Sequence, residues 1–381
     1  MNMRTLLLIC TFICSFSVAA QSEQLAKSYF DKGQFEKALI SYQKLYETNK
    51  GNTNYFFKII EVHQQLEQLD IAEELLMEKI NASGNPHYYV ELGYNYQLKK
   101  DDANATKYYE MARAGIEEKP IYAYYVARRF EDHALIDYAA QVYERAMEMR
   151  PESNYNMQLA RIYGEQGKVK EMFRSYIDFV EINNSYINFT KRSFSEYITE
   201  NGQHENNKLL QQVLLKKIQE EPNVLWNELL SWLFIQQRDY NKAFAQEKAI
   251  YNRQQESLRG ITDLAMIAIE EDEIETATDI LTYIIENAFD LPTVLEAHKN
   301  LLELRTKFAS KKEIEDIDKT YNVLLENYGR DALKADIQLS YGHFMAFSLD
   351  RPNDASKFLK TTLKNNLTKF HEAKIKLKLG D

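Results

Sequence analysis

Residues 92–112, LGYNYQLKKDDANATKYYEMA, read as two short helices around a polar turn, with Gly93, Ala105 and Ala112 set among bulky Tyr and Leu side chains. A glycine inside a helix costs about 1 kcal/mol against alanine, so something must offset Gly93. Packing supplies the reason. Two antiparallel helices joined by a short turn approach to ~8 Å only where one side is small, and a large side chain of the partner then fills the gap. Gly93 and Ala105 mark the place where two backbones come close.

The same pattern recurs along the chain. LAKSYFDKGQFEKALISYQKL begins at Leu25, a weaker copy IIEVHQQLEQLDIAEELLMEK at Ile59, VARRFEDHALIDYAAQVYERA at Val126 and LARIYGEQGKVKEMFRSYIDF at Leu159. The second residue of each block is Ala26, Ile60, Gly93, Ala127 or Ala160, at successive spacings of 34, 33, 34 and 33. A second small residue follows twelve positions later at Ala38, Ala72, Ala105 and Ala139, with Met172 as the exception. Then come Tyr42, Leu76, Tyr109, Tyr143 and Tyr176. Repetition in register at this period is the signature of a solenoid of helix pairs. Gly33 and Gly167 stand where a first helix should end in a left-handed residue, and Pro86, Pro120 and Pro151 separate neighbouring blocks.

These residues resemble the tetratricopeptide repeat family, whose 34-residue consensus places Leu with Gly or Ala early, then Tyr, Ala, Phe or Tyr, Ala, and finally Pro. The blocks at Leu92-Gly93, Val126-Ala127 and Leu159-Ala160 carry the match best. Ile60 and Met172 depart from the small positions, so those two repeats are expected to splay or to pack differently. The resemblance implies an all-α fold, a right-handed α-solenoid of antiparallel helix hairpins, with a concave face lined by the first helix of each pair. In that family the face binds an extended peptide or a partner helix. Mapped onto this chain, the binding positions are Lys27, Glu61, Tyr94, Tyr124, Arg128, Arg161 and Glu165. The variety that clamps a chaperone's terminal carboxylates needs Lys, Asn and Arg at inner positions; Glu23 with Lys27 at the first of them, and Lys58 in place of Asn, speak against it here.

Beyond residue 184 the signal weakens. LSWLFIQQRDYNKAFAQEKAI from Leu230 and LAMIAIEEDEIETATDILTYI from Leu264 are again 34 apart, with Ala243 and Ala277 in the second small position. The polar run TENGQHEN between two helical stretches of 185–222 reads as a mobile loop. Helices between Pro292 and Tyr328 look longer than those of the family, and DASKFLKTTLKNN from Asp354 looks like a second helix. The expected organisation is a signal peptide over 1–20, five repeats over 21–184, a divergent helix pair over 185–225, and further pairs over 226–381. The closing segment, HEAKIKLKLGD, reads as the first helix of another repeat or, from the alternation of IKLKL, as a strand; its apolar residues suggest an array continuing past Asp381.

Residues 1–20 combine Arg4, an apolar run from Leu6 to Val18 too short to span a bilayer, and small residues before Gln21, the pattern of a cleaved export signal. Both cysteines, Cys10 and Cys14, lie inside it, so the mature chain would hold together by packing alone. The expected location is the periplasm or envelope of a Gram-negative bacterium. A formal charge of −10 disfavours nucleic acid.

No catalytic constellation is visible. HENNK at 204 and HEAKI at 371 lack the second His of a zinc-protease helix, DDANATKYYE lacks the glycine and terminal Glu of a calcium loop, and no glycine-rich phosphate loop or nucleophile elbow occurs. His63 and His133 read as packing or surface residues, Trp226 and Trp232 as core, and EEDEIE (270–275) as a solvated turn. No cofactor, metal or small-molecule substrate is implied. The expected function is a non-catalytic scaffold for a protein or peptide partner. A structural envelope component, touching anionic membrane through the lysines between Lys357 and Lys378, and a recruiting subunit of an envelope enzyme or secretion complex stay open as alternatives.

Overall fold

The computed structural model describes residues 22–328, 335–365 and 367–380. The expected export signal with its two cysteines, and the Asn-x-Ser/Thr triplet starting at Asn366, lie outside the described residues. The chain divides into two compact units, 1–182 and 183–381. All regular structure among the described residues is helical, and no helix there is long and apolar enough to cross a membrane.

The N-terminal unit is a run of five hairpins. The first is α1 (22–31) with α2 (Phe35–Thr48), followed by α3 (Thr53–Gln65) with α4 (Leu69–Ser83). Then come α5 (His87–Leu98) with α6 (Asp102–Glu118), α7 (Ala123–Asp132) with α8 (Ile136–Met149), and α9 (Asn156–Glu165) with α10 (Val169–Ile182). The small positions are the contact points that the sequence implied. Ala26, Ala38, Ala72, Ala127, Ala139 and Ala160 are fully buried. A Cβ added at Gly93 would stand 2.5 Å from the Tyr109 ring and 3.0 Å from the Ala105 carbonyl oxygen. Tyr109 fills the space at Gly93, and Tyr42, Leu76, Tyr143 and Tyr176 at the equivalent positions are likewise buried.

The two departures from the pattern behave differently. With Ile60 in the notch, α3 and α4 run close over much less of their length than α5 and α6 do. Met172 causes no such separation: α9 and α10 stay close, and the thioether is buried to 1% exposure. An unbranched, flexible side chain bends into a gap that β-branched isoleucine cannot enter.

The turns inside the hairpins repeat as faithfully as the notches. Gly33 and Gly167 are left-handed, and so are Glu67, Lys100 and Ala134 at the equivalent places. In each, the residue after the left-handed one donates its N–H back across the helix end, as in Gln34 to the Tyr29 carbonyl at 2.8 Å, Gln68 to His63 at 2.9 Å and Leu135 to Phe130 at 2.8 Å. This satisfies carbonyls that the helix end leaves open. Asp101 of DDANATKYYE meets the opposite need at the start of α6, where its carboxylate accepts from the otherwise free Asn104 N–H at 3.1 Å.

The C-terminal unit begins with α11 (Ile187–Ser195) and α12 (Glu205–Glu220), then α13 (Val224–Gln236) with α14 (Tyr240–Gln254) and α15 (Arg259–Glu270) with α16 (Ile274–Asn287). α17 (Leu291–Phe308) and α18 (Lys311–Tyr328) are the longer helices anticipated, and α19 (Ala335–Phe347), α20 (Pro352–Thr362) and α21 (Lys369–Gly380) complete the described chain. The closing segment is thus helix rather than strand. Arg238 and Asp272 repeat the left-handed turn, 34 residues apart. The polar stretch expected to be a mobile loop is anchored at its base. Fully buried Asn207 accepts from the Thr199 N–H at 3.0 Å and donates to its carbonyl at 2.7 Å, while Asn206 donates to the Tyr197 carbonyl at 2.9 Å. Trp226 is fully buried, whereas Trp232 is half-buried against Phe194. Within the acidic turn, Glu271 pairs with Arg238 and Asp272 with Lys307.

Candidate binding surface of the first helices

In the N-terminal unit the residue after each notch residue is turned about 100° around the helix from it, and so points to the side of the hairpin partner instead of at it. The first helices α1, α3, α5 and α7 thereby wall a cavity of about 1400 Å³. Lys27, Glu61 and Tyr94 line it. Tyr124 and Arg128 line a second cavity of about 700 Å³, formed with residues of α3 and α5. Arg161 and Glu165 line neither. They face each other at 3.7 Å, and Arg161 also pairs with Glu131, whose carboxylate accepts from the Tyr143 hydroxyl at 2.9 Å. Arg161 therefore joins α9 to the hairpin before it.

The floor of the larger cavity is a buried charge cluster. The Glu91 side chain is 4% exposed, with His133 Nε2 at 3.0 Å and Arg129 at 3.5 Å. Burial alone would raise the Glu91 pKa; the hydrogen bond and charge of His133 and the Arg129 guanidinium outweigh it and hold the group below the usual range. Glu91 is accordingly ionised and acceptor-only, so His133 Nε2 donates. The His133 ring stacks on Tyr94, centroids 3.8 Å apart and planes 17° from parallel. The Arg129 guanidinium lies over the Phe57 ring at 4.7 Å and also pairs with Asp132. Nearer α1, Lys27 pairs with Asp31 at 2.7 Å and Lys58 with Glu61 at 2.6 Å. Lys27, at a clamp position, and Lys58, in place of the clamp's Asn, are thus both engaged by carboxylates.

The second cavity is walled by rings. His87 stacks on Tyr122 at 5.3 Å and meets Phe57 edge-on at 5.6 Å, with Tyr124 and Tyr125 alongside. Burial first, then the nearby Arg129 charge, pushes the His87 imidazole down to about 4, so it is neutral at physiological pH. Its Nδ1 is buried with no hydrogen-bond partner among the described residues. Ile121 and Tyr125 at the cavity edge are 69% and 58% exposed, a dense display of large apolar surface.

Of the mapped positions, Lys27, Glu61, Tyr94, Arg128 and Arg161 follow the notch residue directly, while Tyr124 and Glu165 come from other rows of the first helix. Phe57 and Tyr124 sit three residues before the notch, Glu91 and Tyr125 two before, and His87 and Ile121 six before. Those rows carry the aromatic wall and the buried carboxylate. Applying the repeat period to all positions of the first helix finds them; periodicity of the apolar residues alone does not.

No family model matches this chain, and no curated protein matches it. Solved structures do. Yeast Tom70 shares 9% identity over 96% of this chain and 95% of its own, with a TM-score of 0.31. A structure of Naa15/Naa10 bound to HypK-THB shares 12% identity over 95% of this chain, which spans 61% of that one, with a TM-score of 0.28. A tetratricopeptide repeat protein from Parabacteroides merdae shares 13% identity over 78% of this chain and all of its own, with a TM-score of 0.26. The fold follows from the chain's own notches, knobs and left-handed turns. The described hairpins of the N-terminal unit follow the 33–34-residue spacing in which the sequence resembles the tetratricopeptide family.

Proposed function

We propose that this protein is a non-catalytic interaction scaffold that holds an extended peptide or a partner helix along the first-helix face of its N-terminal unit. The observation that carries this reading is the larger cavity, in which the helix period gathers Lys27, Glu61 and Tyr94 from three successive repeats onto one wall. A groove with mixed charge and aromatic edges suits recognition by side chains. Packed hairpins keep it largely preformed, which lowers the ordering cost of binding. The apolar run and small residues of 1–20 add an export signal to the proposal, placing the scaffold in the periplasm or envelope of a Gram-negative cell. Co-purification from native membranes followed by hydrogen exchange tests it. A bound partner should slow amide exchange in α1, α3, α5 and α7; protection confined to other helices overturns the proposal. Recovery of the protein only in the cytosolic fraction overturns the export part.

A further inference from the structure

The cavities of the N-terminal unit differ in chemistry, and the difference describes an occupant. Resting on the groove reading above, we infer that the partner is an extended segment in which a Lys or Arg side chain sits beside a bulky aromatic one. The cationic residue lies over the α1–α3 end of the larger cavity, and the aromatic residue enters the ring-walled cavity of α3, α5 and α7.

Charge supports the first half. Six carboxylates line the larger cavity (Glu23, Asp31, Glu61, Glu67, Glu91 and Asp132) against three permanent cations, Lys27, Lys58 and Arg129. All three cations are engaged: Lys27 by Asp31, Lys58 by Glu61, and Arg129 by Glu91 and Asp132. Glu23 and Glu67 make no ion pair among the described residues; Glu23 accepts the Tyr55 hydroxyl at 2.9 Å. The surplus is felt nearby. The Tyr42 phenol is pushed up to about 12, by burial first and then by Glu61, Asp31 and Glu23. An acidic segment would meet this field with no cation left to pair it; a basic one gains from it and is steered towards it.

Shape and ring chemistry support the second half. Asn54, Phe57 and Arg129 line both cavities, so one extended segment can pass from one to the other. The second cavity adds no free charge: His87 is neutral, and Arg128 is matched by Glu131 at 3.2 Å and Asp132 at 3.5 Å. Its stacked rings suit an aromatic side chain, which binds such walls by offset or edge contacts.

The test titrates the whole chain with three fluorescein-labelled peptides of one length, carrying a Tyr-Lys-Lys, a Tyr-Glu-Glu or an Ala-Lys-Lys core. Tyr-Lys-Lys should bind about tenfold more tightly than either of the others, the step equal to ~1.4 kcal/mol. Glu23→Lys combined with Glu67→Lys, both exposed, should weaken Tyr-Lys-Lys about fivefold, as two surface charge pairs allow, with the melting temperature unchanged. Tyr125→Ala should bring Tyr-Lys-Lys down to the affinity of Ala-Lys-Lys. Equal or tighter binding of Tyr-Glu-Glu, or no binding of Tyr-Lys-Lys, overturns the inference. Hydrogen exchange separates the levels: an acidic peptide that protects α1, α3, α5 and α7 sinks the charge assignment and leaves the groove standing. Peptide binding that protects only other helices sinks both.

Discussion

The α5/α6 hairpin of the N-terminal unit and the α13/α14 hairpin of the C-terminal unit are equally intimate, yet they close with opposite chemistry. In the first, Gly93 makes the notch and Tyr109, sixteen residues on, fills it. In the second, Ser231 makes the notch, and the residue sixteen on is Glu247, whose carboxylate accepts a hydrogen bond from the Ser231 hydroxyl. A Cβ at Gly260 on α15 would collide with the same carboxylate. Steric matching decides where the backbones meet; it does not decide whether the knob is a ring or an acid. Glu247 is the costlier solution. Burial raises its pKa, and the Ser231 hydrogen bond opposes the rise without cancelling it.

The notch rule breaks most severely where the notch is already filled by a large residue. Ile60 is fully buried at the position that Gly93 holds one repeat later. Ile60→Ala restores the consensus size but leaves a cavity that helices already set apart close only in part. It should cost about 3 kcal/mol in a urea melt followed by circular dichroism. A gain in stability would mean that the consensus, not local volume, governs this hairpin.

Gly93→Ala is the reciprocal experiment. Alanine gains about 1 kcal/mol of helix propensity, but the added methyl meets a Tyr109 ring and a backbone oxygen that cannot both retreat. Overpacking should win and leave the variant about 1–2 kcal/mol less stable by the same melt. A more stable variant would remove close approach as the reason for glycine here.

Glu247→Gln sharpens the comparison from the other side. The folded-state pKa of Glu247 lies above its unfolded value of about 4.3. The folded state therefore binds the proton more tightly, and ionised Glu247 costs stability at neutral pH. That cost fades as pH falls through the folded value towards the unfolded one. Glutamine keeps an oxygen for Ser231 and removes the charge. It should stabilise the C-terminal unit by roughly 0.5–1 kcal/mol at pH 7, a figure kept small because the side chain is only half-buried. The gain should vanish near pH 4. Both tryptophans, Trp226 and Trp232, lie in α13, so fluorescence-detected melts report on this hairpin directly. A gain independent of pH would assign the effect to packing instead of charge.

These hairpins also show how far the sequence could be read. Small residues at fixed spacing are visible as letters, so the five N-terminal hairpins and the α13–α16 pairs were legible. Glu247 was not recognisable as a knob because a carboxylate at a core position looks like a surface residue until Ser231 is seen beside it. The α19/α20 hairpin was half hidden: α20 was legible, but Gly342 was not, although its notch is filled by Leu359 as tightly as Gly93's is by Tyr109. The interval from Gly342 to Ala355 is thirteen instead of twelve, which breaks the register used to find the others. In the groove, Lys27, Glu61 and Tyr94 were named through the resemblance to the tetratricopeptide family, whereas the Glu91–His133–Arg129 cluster joins residues of two different repeats and has no signature within either one. Least legible was the base of the polar stretch before α12, where Asn207 supplies backbone anchors that only the fold brings into reach.

The smallest predicted effect is at Ala134, in the turns, where the two ways of making one shape can be compared within a single unit. Gly33 and Gly167 adopt the left-handed conformation at φ near +70°, and Ala134 adopts it at +57° with the same pair of returning hydrogen bonds. For alanine that conformation carries a steric penalty of about 1 kcal/mol between Cβ and the following carbonyl. Glycine avoids it, but loses more conformational freedom on folding. Ala134→Gly should stabilise the N-terminal unit by about 0.5 kcal/mol, and Gly33→Ala should destabilise it by about 1 kcal/mol. Nothing lies within 4 Å of a Cβ at Gly33, so its cost isolates the backbone term from any clash. If Gly33→Ala melted with the parent while Gly93→Ala fell, the turn would be free to relax and the array would owe its register to the notches alone.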